Sequence, residues 1–129
     1  MNILALDVGG TAIKSALINH GEILKCDECL SEAKLGGPQL IKNIMKTIDS
    51  YHDYDVISIS STGQVDSEKG YIIYANENVP NYTGTKLCNI IEEKYKKPVF
   101  LENDVNAAAL GEGFYGAGKG EKDFICLTY

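Results

Sequence analysis

Asn2-Ile3-Leu4-Ala5-Leu6-Asp7-Val8-Gly9-Gly10-Thr11 is the stretch on which the reading of the fold turns. An apolar run of this length that stops at two glycines reads as a strand delivered into a tight turn, because Gly tolerates backbone conformations closed to other residues. Beyond the turn, residues 13–18 alternate apolar with polar side chains as far as an Asn19-His20-Gly21 turn, which completes a hairpin. Residues 23–30 restart the alternation with Ile, Leu, Cys and Leu among polar neighbours, so a third antiparallel strand joins the meander. Three strands thus precede any helix.

Downstream, the period changes. After Gly36-Gly37-Pro38, the residues Leu40, Ile41, Ile44, Met45 and Ile48 recur at helical spacing and predict an amphipathic helix over residues 39–50. Residues 56–60 read as a buried strand running into a Thr62-Gly63 turn, and residues 71–74, after Gly70, as a short strand or hairpin arm. Leu87, Ile90, Ile91 and Tyr95 mark a second helical stripe, Pro98 ends the connection, and residues 99–101 form the next strand. Residues 104–111 then read as a helix, capped by Asn103 or Asp104 and favoured by Ala107, Ala108 and Ala109. A glycine-rich linker over residues 116–120 leads to a last apolar run, 124–129, that reads as a strand cut off at Tyr129. The fold class expected is α/β, a mixed sheet of three antiparallel strands plus parallel strands flanked by helices.

Bulk properties limit the function. The chain has 129 residues, 44% of them hydrophobic and 23% charged, enough for one modest globular core. Its formal charge of -6 argues against a nucleic-acid or anionic-membrane surface, since phosphate backbones call for clustered Lys and Arg. The first residues lack the basic start and long apolar stretch of a signal peptide, so a cytoplasmic location is expected, with the four cysteines as free thiols buried like small hydrophobes.

Two constellations carry chemistry. In Leu6-Asp7-Val8-Gly9-Gly10-Thr11 a strand brings a carboxylate to its tip and the glycines let backbone N–H groups approach an anion; Thr11 adds a hydroxyl and Lys14 a charge, while Asp7 can hold Mg²⁺ through water. The same residues also suit a plain hairpin turn. In Phe100-Leu101-Glu102-Asn103-Asp104-Val105-Asn106-Ala107-Ala108-Ala109-Leu110-Gly111-Glu112, polar acceptors gather where a strand gives way to a small-residue helix. A carboxylate there can take a proton from a hydroxyl while a neighbouring amide orients the reactant. Read by itself, the segment is first of all a helix N-cap with no chemistry.

In this order, about one hundred residues apart, the two segments together resemble the ROK family of the actin-like ATPase, ribonuclease-H-like superfold. The family's first phosphate segment looks like Asp7-Val8-Gly9-Gly10-Thr11, its sugar loop like Thr62-Gly63-Gln64-Val65-Asp66, and its catalytic segment like Glu102-Asn103-Asp104-Val105-Asn106 with the alanines that follow. The resemblance implies a sugar kinase: ATP- and Mg²⁺-dependent phosphorylation of a hexose or N-acylhexosamine hydroxyl, with Asp104 as general base, Gly63, Asn103 and Asp104 binding the sugar, and Asp7, Gly9, Gly10, Thr11 and Lys14 around the ATP phosphates. It also implies that residues 1–129 are one amino-terminal lobe, that a second lobe follows in family members, that the fragment alone is inactive, and that a full-length parent can form a homodimer. Asn78-Val79-Pro80-Asn81-Tyr82 stands where the family often has a Pro-Gly-Trp-like stretch. The alternative within the family is the sugar-sensing part of a transcriptional repressor, whose members place a helix-turn-helix ahead of the first strand.

The remaining motifs read as structure. Cys26 and Cys29, three apart on a strand, point to opposite faces and do not make a zinc pair. His20 and His52 are surface residues, and Tyr51, Tyr54, Tyr71, Tyr74 and Tyr82 are strand and rim residues rather than a stacking platform. The run from 92 to 97 is an exposed helix face with Glu92-Lys96 and Glu93-Lys97 pairs.

Overall fold

A computed structural model of the chain describes residues 1–107 and residue 120. The opening run forms β1 (Asn2–Val8), which pairs antiparallel with β2 (Ala12–Asn19), and β2 pairs in turn with β3 (Glu22–Leu30). The second connection is a two-residue turn with His20 and Gly21 both at positive φ (49° and 79°), the geometry whose twist matches antiparallel strands. After a single 3-10 turn come α1 (Gly37–Asp49), β4 (Val56–Ser61), a small hairpin of β5 (Gln64–Asp66) and β6 (Tyr71–Tyr74), α2 (Leu87–Tyr95) and β7 (Val99–Asn103). β4 lies parallel to β1 and β7 parallel to β4, so the sheet runs β3-β2-β1-β4-β7. This is the expected mixed sheet.

One face of the sheet makes the core. Leu4, Leu6 and Val8 of β1, Ile13 of β2, Ile57 and Ile59 of β4, and Val99 and Leu101 of β7 alternate onto it and meet Leu40, Ile44 and Ile48 of α1 and Leu87 and Ile91 of α2. Each such side chain contributes about 1.5–3 kcal/mol on burial. Pro38 sits in the first turn of α1, where its missing N–H costs nothing. Gly37 is there for space: a Cβ on it would lie 2.3 Å from the Asn81 carbonyl oxygen, and its own N–H donates to Pro80 O at 2.7 Å. The opposite face carries Ala5, Asp7, Lys14, Ala16, Ser58 and Ser60, and there Phe100 is 62% exposed. Among the described residues no helix is long and apolar enough to cross a membrane.

The structure corrects several expectations. Cys26 and Cys29 are exposed, because β3 is an edge strand of the sheet and every residue on it is open to solvent; among the described residues only Cys88 is a buried thiol of the kind expected. Helix α2 ends at Tyr95 and Lys96 turns left-handed at φ 56°, so the pairs expected with Lys96 and Lys97 fall off the helix. Glu92 instead accepts the Val99 N–H at 3.1 Å. Tyr82, read as a rim residue, is wholly buried, and Tyr51 nearly so. Of the last helix, residues 104–107 are helical as expected. Its later turns, Cys126, most of the glycine-rich linker and the final apolar run lie outside the described residues.

Candidate functional site

Parallel pairing fixes where the strand tips emerge. Val8 of β1 stands beside Ser61 of β4, and Ser61 beside Asn103 of β7. The turns that follow, Gly9-Gly10-Thr11, Thr62-Gly63 and Asn103-Asp104, therefore leave the sheet along one edge, the first and last roughly 10 Å apart by two strand spacings. Ligands of open α/β sheets bind beyond such carboxyl ends.

Backbone and side-chain bonds tie the three turns together. The Thr62 N–H donates to Val8 O at 3.0 Å, joining the middle turn to the first. The Asn103 side-chain amide donates to Gly63 O, joining it to the last. Gly63 has φ 97°, and a Cβ on it would lie 2.9 Å from Tyr74 O, so both its conformation and its surroundings exclude a side chain. The other end of the Asn103 amide, Oδ1, accepts the N–H of Val105 at 3.0 Å and of Asn106 at 3.2 Å. Asn103 is thus the N-cap of the helix that begins at Asp104, settling which of the two residues caps it. Asp104 is partly exposed, and its Oδ1 accepts the Val105 N–H at 2.9 Å. Glu102 accepts the N–H of Asn103 at 2.8 Å and the amide of Asn106 at 3.3 Å.

At the first turn, the Gly9 N–H donates to Ala12 O at 2.9 Å and is closed to a ligand. Among the described residues no group takes the N–H of Gly10 or Thr11, and no atom lies within 4 Å of where a Gly10 Cβ would be. The expectation that both glycines offer their amides therefore narrows to Gly10 and Thr11. Asp7 is exposed, with Oδ1 accepting the Ser60 hydroxyl at 2.8 Å. Lys14 is directly across from Asp7 in the β1/β2 register, on its flank rather than at the tip of the turn. Both line a cavity of about 290 Å³ on the sheet's second face, with Ser58 and Ser60.

For Mg²⁺, the fit is that of a single carboxylate. Among the described residues no three His, Cys, Asp or Glu side chains gather into a cage, and Asp7 stands alone with one oxygen bonded to Ser60. That donor set suits an ion that keeps most of its water and leans on substrate phosphates. A larger cavity, about 370 Å³, opens between β3 and α1 beside Cys29, Asn43, Lys46 and Thr47. Asp104 lines neither of these cavities.

Sequence reasoning missed Ser60, Ser61 and Tyr82. Two serines ending an apolar strand were a signal for the first pair. Nothing local marks Tyr82, whose partner lies 21 residues away.

The ROK family model matches residues 3–129 of the chain. An uncharacterized protein, CPE0188, of Clostridium perfringens is 43% identical over 95% of the chain and 43% of that protein. A glucokinase of Thermotoga maritima is 33% identical over 99% of the chain and 41% of the glucokinase. Among solved structures, a ROK family glucokinase from Streptomyces griseus in complex with glucose and AMPPNP superposes with a TM-score of 0.81 at 27% identity, covering 93% of the chain and 38% of that enzyme. The chain spans about two fifths of the length of these relatives.

Proposed function

The chain belongs to the ROK family, and from that premise we propose that it is the amino-terminal lobe of a cytoplasmic sugar kinase that uses ATP and Mg²⁺ to phosphorylate a hexose or N-acylhexosamine hydroxyl. The observation that carries this reading is the shared edge: a carboxylate at Asp104, a glycine turn at Gly63 and an amide-bearing turn at Gly10 and Thr11, joined by hydrogen bonds through Val8, Thr62 and Asn103. Kinship with a glucokinase that binds glucose and an ATP analogue supports it.

In this reading Asp104 accepts the proton of the attacking sugar hydroxyl. One carboxylate oxygen is steadied by the Val105 N–H, which holds the group in place and leaves the other oxygen toward the substrate. General-base assistance of this kind is worth about 10²- to 10⁴-fold. Asn103 and Gly63 bind sugar hydroxyls beside it. The N–H groups of Gly10 and Thr11 face the phosphates, with Thr11's hydroxyl and Lys14's ammonium adding donors and charge. Asp7, oriented by Ser60, would hold Mg²⁺ through water. When bound, ATP supplies the phosphoryl group and Mg²⁺ neutralises its oxygens, leaving positioning as the protein's main task.

A coupled assay for ADP release, run with glucose, mannose and N-acetylmannosamine, tests the proposal. A polypeptide that continues through a second lobe should turn over in a sugar-dependent way, and the 129-residue chain alone should give negligible turnover. Turnover by the isolated chain contradicts the single-lobe reading. Sugar binding without turnover by the longer polypeptide would instead make it a sensor.

A further inference from the structure

The turn at Thr62 and Gly63 is held from behind by a residue that the phosphotransfer reading does not use. Tyr82, on the loop between β6 and α2, is wholly buried, and its hydroxyl lies 2.8 Å from Ser61 Oγ. Ser61 is equally buried and donates its one hydroxyl hydrogen to Thr62 O at 3.0 Å. The hydrogen between the two side chains therefore belongs to tyrosine, giving a directed chain: Tyr82 O–H to Ser61 Oγ, and Ser61 O–H to the Thr62 carbonyl. Burial pushes the Tyr82 phenol up to about 12, so it stays a neutral donor at physiological pH.

The loop behind this chain is anchored. Gly37 N–H donates to Pro80 O at 2.7 Å, Thr85 N–H donates to Tyr82 O at 3.1 Å, and Asn81 packs against the bare backbone of Gly37. From the front, Thr62 N–H bonds Val8 O and the Asn103 amide bonds Gly63 O. Both carbonyls of the turn are thus fixed, one by Ser61 and the other by Asn103.

We propose that Tyr82 is a positioning residue for the sugar site, setting the Thr62-Gly63 peptide through Ser61 without touching substrate. Its ring fills the core, as many residues could; its hydroxyl acts on the turn. This inference rests on the kinase-lobe reading for its functional meaning.

Tyr82→Phe keeps the ring and removes the hydroxyl, and Ser61→Ala removes the middle link of the same chain, so either variant reads the effect if the other fails to fold. Amide hydrogen exchange of the chain, without sugar, should quicken about tenfold at residues 62–65, the loss of one hydrogen bond, and less than about twofold in β1 and α1. Ser61→Thr should restore the slow exchange. Titration with glucose, mannose and N-acetylmannosamine in turn should then show the Gly63 amide shift saturating at about tenfold higher sugar in both variants. Exchange that is unchanged at residues 62–65, or that quickens equally throughout, overturns the positioning role. A parent chain whose Gly63 and Asp104 signals ignore all three sugars overturns the kinase-lobe reading instead, whatever the exchange shows.

Discussion

Asn103 bonds in two directions at once. Its Oδ1 caps a helix and its amide holds the Gly63 carbonyl, so a truncation loses both. Asn103→Ala should destabilise the chain by about 1 kcal/mol, the usual cost of a lost N-cap, measured by urea unfolding. Asn103→Ser, which keeps a capping oxygen, should recover most of that stability while leaving the Gly63 amide environment altered in the NMR spectrum. Equal losses for the two would mean that capping is not the source of the effect. The capping role was legible only in part, because the sequence offered Asn103 or Asp104 as the cap and gave the same residues a chemical reading beside it. The bond to Gly63 was not, because it joins residues 40 apart and leaves no periodic trace. Tyr82 was hidden for the same reason: the composition of the 78–82 stretch says nothing about which way its aromatic ring points.

Elements were legible in proportion to how much of their pattern is local. β1, β2 and α1 declare themselves through alternation and helical spacing, and each was placed to within a few residues. β5 has three residues, too few for any period to show. The exposure of Cys26 and Cys29 depends on β3 being the edge, which is a property of strand order and absent from the strand's own sequence. The end of α2 is marked by Lys96 in a left-handed conformation usually given to Gly or Asn, so Pro98 bounded the helix from the sequence but did not fix its last residue. A sharper test of element packing lies at Gly37. Gly37→Ala would push a methyl group into the Asn81 backbone, which cannot swing aside as a side chain could. A loss of about 3 kcal/mol is expected, at the upper end of overpacking costs, read from the urea midpoint. A change below about 0.5 kcal/mol would show that the loop over α1 yields freely.

Across the whole molecule, burial sets an alkaline limit to stability. Tyr82 is pushed from 10.0 to about 12 chiefly by burial, and Cys88 from 9.0 to about 11 by burial and then by Glu92. Tyr95 also moves upward, through burial and its bond to Asp49. These groups hold their protons more tightly when folded, so their contribution is complete below pH 9 and lost as the pH climbs through 11 and 12. Urea midpoints should be flat up to about pH 9 and fall beyond it. Tyr82→Phe should make that fall shallower, and an unchanged slope would show that the phenol is not the titrating group.

In the proposed mechanism Asp104 is the proton acceptor, at an edge shared with the Gly63 and Gly10 turns. The most direct measurement is the single-turnover rate of phosphoryl transfer to the best of glucose, mannose and N-acetylmannosamine by a polypeptide that continues through the proposed second lobe and carries Asp104→Asn. A fall of about 10²- to 10⁴-fold, with sugar affinity and unfolding midpoint close to those of the parent, is the predicted result. Transfer at the parent's rate, or a loss of activity that merely follows a loss of folding, would contradict it.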